Sequence, residues 1–109
     1  MSDTQIRASK ARSIHKFALY AADVVQLVFM PKGAKVLSVG GQNGCIYAWA
    51  LVDSSAPLRS VRYIAVGTGW SIENAEELLT GMSFVDTVRG EPFVWHIFFD
   101  SGACGNVHA

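Results

Sequence analysis

The chain has 109 residues, half of them hydrophobic, and a formal net charge of zero. That length fits one domain whose folding buries roughly two-thirds of the surface exposed by the unfolded chain. The balanced charge gives no long-range attraction to a nucleic acid polymer or an anionic membrane, and no stretch approaches the roughly 20 apolar residues of a membrane-spanning helix.

Residues 1–12 are polar and without period, and are expected to form a disordered or loosely docked arm. No secretory signal is expected there, because an apolar h-region is missing. Charge is uneven along the chain. Arg7, Lys10, Arg12, Lys16, Lys32 and Lys35 crowd the first third, whereas Glu73, Glu76, Glu77, Asp86, Glu91 and Asp100 crowd the last. A basic segment can hold an anion, but a solvated tail is the preferred reading.

The ordered domain is expected over residues 13–100. Ile14–Leu19 and Val24–Met30 read as strands, and Pro31-Lys32-Gly33 as the turn that follows. The hairpin from Ala34 to Asp53 is the most informative local feature. Asn43-Gly44 favours a two-residue type I′ turn, which pairs Gly40 with Tyr47, Val39 with Ala48, Ser38 with Trp49 and Leu37 with Ala50. Both faces of this hairpin are apolar. One carries Leu37, Val39, Ile46, Ala48, Ala50 and Val52; the other carries Val36, Tyr47, Trp49 and Leu51. An antiparallel strand with one wet face alternates apolar and polar residues, so the second face here needs a cover. A further layer of chain, a second subunit or a ligand would serve, and a homo-oligomer is expected.

Ser60–Val66 reads as another strand, running into Gly67-Thr68-Gly69-Trp70-Ser71. Ser71 looks like the N-cap of a short helix over Ile72–Thr80, with Gly81 closing it. Met82–Val88 and Phe93–Phe99 make a last pair of strands around Arg89-Gly90-Glu91-Pro92. Residues 101–109 read as a flexible tail. The fold class is mainly β: a compact antiparallel sandwich or barrel of about seven strands with one short helix.

The candidate ligand site is Gly67–Ser71 with Arg62 and Trp95. Gly67 and Gly69 let the backbone approach a ligand, Thr68 and Ser71 offer hydroxyls, and Trp70 and Trp95 offer flat stacking surfaces. Arg62 would contact a phosphate, a role also open to Arg89. The segment is not a P-loop, lacking Gly-Lys-Ser/Thr at the required spacing, and a simple strand-to-helix turn would also require glycine. His96 breaks an aromatic run and is expected to be a satisfied core or interface histidine. Cys45 and Cys104 do not make a disulfide framework and read as free thiols. No catalytic residue, metal site or cofactor is expected. A nucleophile–base pair of Cys45 with His96 has no orienting third group, and Cys104-x3-His108 lacks the paired motif of a structural zinc site.

Several segments together resemble a family of small proteins of tailed phages and prophages. They are Ile14-His15-Lys16-Phe17, the run Met30 to Val39, Trp49-Ala50-Leu51-Val52-Asp53, Gly67-Thr68-Gly69 and Phe93-Val94-Trp95-His96-Ile97-Phe98. Where members often read Gly-Thr-Gly-His-Pro, this chain has Gly67-Thr68-Gly69-Trp70-Ser71, an indole and a hydroxyl in place of an imidazole and a proline. The resemblance implies phage origin and location in the host cytoplasm. Analogy with small oligomeric β-rich phage proteins, in style of action and not by a motif match, suggests sequestration of a nucleotide-derived immune signal, of cyclic ADP-ribose or cyclic oligonucleotide type. A protein-interaction or assembly module is the alternative.

Overall fold

The computed structural model describes residues 11–90 and 93–104, so most of the expected arm and residues 105–109 of the expected tail lie outside the described residues. Seven strands form two antiparallel sheets: β1 (Ser13–Leu19), β2 (Ala22–Pro31), β3 (Lys35–Gln42), β4 (Cys45–Val52), β5 (Leu58–Gly67), β6 (Met82–Arg89) and β7 (Val94–Asp100). One sheet has the order β1-β4-β3 and the other β2-β5-β7-β6. Sandwich or barrel resolves to two separate sheets: the strands do not close into a barrel.

The Asn43-Gly44 turn sets the hairpin as its sequence dictates. Both residues have positive φ, 53° and 80°. Gln42 pairs with Cys45, Gly40 with Tyr47, Val39 with Ala48 and Ser38 with Trp49. The register then shifts between Val36 and Ser38, so Val36, not Leu37, lies opposite Ala50. The bulge turns Val36 inward, where it is buried, and leaves Leu37 exposed. An extra residue in one strand exchanges which neighbour faces the core.

The core lies between the sheets. The three-stranded sheet contributes Leu19, Val36, Val39, Ile46, Ala48, Ala50 and Val52; the four-stranded sheet contributes Met30, Val61, Tyr63, Ala65, Val88, Ile97 and Phe99. The small-residue face of the hairpin is therefore the inner one. Its alanines make room for a layer that includes Tyr63 and Phe99, stacked with ring centroids 5.6 Å apart. The Tyr63 phenol is satisfied in the core by the Tyr20 amide, which donates to it at 3.0 Å.

The bulky face of the hairpin is closed largely by its own neighbours. Trp49 lies over Gly40, where an added Cβ would come within 3.3 Å of the indole. The Lys16 ammonium sits 4.5 Å above the Tyr47 ring and donates to Gln42 Oε1 at 2.9 Å. Tyr47, Trp49 and Leu51 are consequently half-buried without a partner chain.

The helix is shorter and later than Ser71 suggests. It is a single turn, α1 (Ala75–Leu78), with Asn74 in the N-cap position at a left-handed φ of 54° and no side-chain cap. Trp70 is committed to tertiary contacts, its amide donating to Gly67 O in a tight turn, and the backbone resumes a helical path only beyond Asn74. Ser101–Ala103 forms a 3₁₀ turn, Ala103 is buried, and Cys104 bridges to Val36, so this part of the expected tail packs on the sandwich.

Candidate functional site

Gly67 is the last residue of β5 and lies opposite Trp95 on β7. The chain then doubles back on itself so that the Trp70 indole caps Gly67. A Cβ at Gly67 would fall 2.8 Å from indole atoms, closer than real contacts allow. Only glycine lets Trp70 dock there. Trp70 meets Trp95 edge-on, with centroids 5.3 Å apart and planes at 82°, and Phe93 packs on Trp95 at 5.2 Å. Trp95 is thus held from two sides in one orientation.

Thr68 joins this cluster to the sheet. Its amide donates to Val94 O at 3.1 Å, and its hydroxyl lies 2.6 Å from His96 Nε2. The other imidazole nitrogen, Nδ1, is 3.1 Å from the Thr87 hydroxyl on β6. His96 is half-buried with both nitrogens partnered, and it ties β6 and β7 to the loop after β5. The expectation of a satisfied histidine matches this geometry.

Two hollows adjoin the cluster. The smaller, about 300 Å³, is shallow and lined by Thr68, Gly69, Trp70, Ile72, Phe84 and Phe98 among others. Ser71 does not line it. The larger, about 570 Å³, opens at the end of the sandwich between the β3–β4 hairpin tip and the β6–β7 turn. Its lining includes Gln42, Asn43, Cys45, Arg89, Phe93 and Trp95. Trp95 is the expected site residue that lines it, and Arg89 is the one charged residue among the described lining residues.

Arg62 stands elsewhere. It is on β5, four residues before Val66, which at about 3.3 Å per strand residue is about 13 Å away. Its Nη2 and Nε contact Asp100 Oδ1 at 2.8 and 2.9 Å, and its amide donates to Asp100 Oδ2 at 2.9 Å. The guanidinium expected to contact phosphate instead fastens β5 to the end of β7. The helix expected after Ser71 offers no anion site either, because a helix of one turn has too little aligned backbone to bind charge.

The structure thus gathers Gly67, Thr68, Gly69, Trp70 and Trp95, and leaves Arg62 and Ser71 outside the hollows. Phe93 is the residue to add, and Arg89, the alternative phosphate contact, lines the larger hollow where Arg62 does not. Both flank the β6–β7 turn in sequence, within six positions of Trp95, and that clustering of a cation with aromatics is the signal that marks them. Among the described residues no group of three or more His, Cys, Asp or Glu side chains gathers in metal-binding geometry. Cys45 is an exposed free thiol, and burial pushes the Cys104 thiol pKa up, with the nearby Asp100 charge adding to the shift.

A family model described as a domain of unknown function, DUF7352, matches residues 10–103. No curated protein and no solved structure matches the chain.

Proposed function

The chain belongs to the DUF7352 family, and we propose that it is a non-enzymatic, phage-encoded binding protein that sequesters a small phosphorylated, nucleotide-derived signal in the host cytoplasm, blunting an anti-phage defence. The observation that carries this reading is that Arg89 and Trp95 both line one hollow of about 570 Å³. That volume falls within the roughly 300–1,000 Å³ of small-molecule sites. The Trp95 indole supplies a stacking surface for a base, and base–aromatic stacking is worth about 1–3 kcal/mol. The Arg89 guanidinium supplies a charge-assisted contact to phosphate, and the Gln42 and Asn43 amides offer donors and acceptors for ribose or base edges.

Trp95 is already fixed by Trp70 and Phe93, so little side-chain freedom is lost when a ligand stacks on it. This preorganisation suits sequestration, which acts by stoichiometry and needs tight binding; nanomolar affinity corresponds to about −12 kcal/mol. Resemblance to small phage proteins supports the biological setting.

The test is direct. Protein purified from phage-infected or signal-producing cells should release a nucleotide on denaturing extraction, and native mass spectrometry should show its added mass. Protein that releases none, and that saturates instead with one host or phage protein, would support the protein-interaction reading in its place. Time-dependent conversion of an added nucleotide would contradict the non-enzymatic assignment.

A further inference from the structure

The four edge strands of the sandwich are β1 and β3 in one sheet and β2 and β6 in the other. An edge strand presents unpaired N–H and C=O groups, and proteins blunt such edges with charge, bulges or cover. Three of the four are blunted here. β1 carries Lys16 and His15; β3 carries Lys35 and a bulge, and Cys104 bridges to it at Val36; β6 carries Asp86 and Arg89 and a bulge between Phe84 and Asp86. β2 differs. Its bulge and its one charge, Asp23, lie near its start and Pro31 ends it, while the run Gln26-Leu27-Val28-Phe29-Met30 between them has no charge and no bulge.

That run also exposes large apolar side chains. Leu27 and Phe29 are 57% and 60% exposed and lie on the outer face of the sheet, beside Arg62 and Ser60 of β5. We infer that β2 pairs antiparallel with β2 of a second copy of this chain, joining two four-stranded sheets into one across a two-fold axis at Val28.

Three features select a second copy as the occupant. A two-fold axis at Val28 sets Leu27 opposite Phe29 of the partner subunit, and paired residues of antiparallel strands share a face, so the exposed apolar residues cover one another. The strand carries Asp23 near its start and is followed by Lys32, both exposed. Antiparallel self-pairing brings the Asp23 end of each copy against the Lys32 end of the other, placing opposite charges together twice. Gln26 to Met30 introduces no like-charge contact under this pairing. The β2 edge is separate from the hollow proposed for the nucleotide, which lies at the hairpin tips, so the dimer does not depend on that ligand.

Light scattering on the eluting full chain at micromolar concentration should give twice the 11.8 kDa chain mass. Leu27→Lys and Phe29→Glu, both at exposed positions, should each raise the dimer dissociation constant by roughly 30-fold or more, the scale of an interface hot spot, with unchanged circular dichroism. Mixing the two variants should restore a dimer, because the introduced lysine of one chain would then face the introduced glutamate of the other, while the remaining Phe29 still faces the remaining Leu27. A wild-type monomer, a dimer indifferent to both substitutions, or a mixture that stays monomeric would each overturn the inference. Amide exchange gives a second readout should a variant misfold: protection over residues 26–30 of the wild-type chain should rise with protein concentration, and constant protection would contradict the pairing.

Discussion

Trp70 docks directly onto the Cα of Gly67, and a single methyl group at that position would fall 2.8 Å from its indole. The contact fixes more than a loop. Trp70 in turn braces Trp95, which lines the larger hollow. Gly67→Ala should therefore displace Trp70 and release Trp95. The expected cost is about 1–3 kcal/mol, as for other overpacked sites. Urea unfolding should show the loss, and a red-shifted tryptophan emission should show the indole moving into water. An alanine variant with unchanged emission would mean that the close approach is not needed.

Tyr63 links the core to alkaline stability. Burial raises its pKa above the usual tyrosine value, outweighing the opposing Tyr20 amide hydrogen bond. In the window above about pH 10 the unfolded chain has lost this proton while the folded chain retains it, so the unfolded state binds fewer protons and stability falls as pH rises. Tyr63→Phe should lose about 1 kcal/mol at neutral pH, because the Tyr20 amide loses its acceptor. It should also flatten the alkaline decline relative to wild type. Unfolding midpoints measured from about pH 8 to 11 test both effects, and parallel curves for the two proteins would contradict the assignment.

Asp100 accepts three contacts from Arg62. Arg62 is partly exposed, so solvent screening limits what the ion pair contributes. The bond from the Arg62 amide adds to it. Asp100→Ala should cost about 1–2 kcal/mol in urea unfolding. Arg62→Ala should destabilise to a similar degree yet leave ligand affinity unchanged, because Arg62 stands outside both hollows. A selective loss of ligand binding in Arg62→Ala would restore it to the site.

Much of the fold is legible in local chemistry. Asn43-Gly44 specifies its turn, and the pairings nearest it, from Gln42 with Cys45 to Ser38 with Trp49, follow from that turn. Legibility ends at the bulge, because Val36 and Leu37 are equally apolar and nothing in their polarity says which faces inward. The helix start is misleading for another reason. Ser71 is a good capping residue, but Trp70 is drawn to Gly67 and Trp95, and this tertiary contact outweighs local propensity over a segment too short to hold a helix by itself. Arg62 and Asp100 are 38 positions apart in the chain, so the guanidinium's partner is invisible until β5 and β7 pair. The larger hollow exists only because sheet packing brings two hairpin tips together. Only Trp95 from the expected site reaches it; Arg89 is legible as the alternative phosphate contact, and Phe93 only as an aromatic close to it in sequence.

Calorimetric titration of the wild-type chain and of Arg89→Gln with cyclic ADP-ribose isomers and cyclic dinucleotides tests the central claim most directly. Saturable, stoichiometric binding of at least one of them by the wild type is predicted, with quenching of tryptophan emission. Arg89→Gln should bind it at least about 10-fold more weakly, a loss of about 1.4 kcal/mol, while unfolding at the same urea concentration. Absence of heat with every nucleotide, or equal affinity in the two proteins, would contradict it.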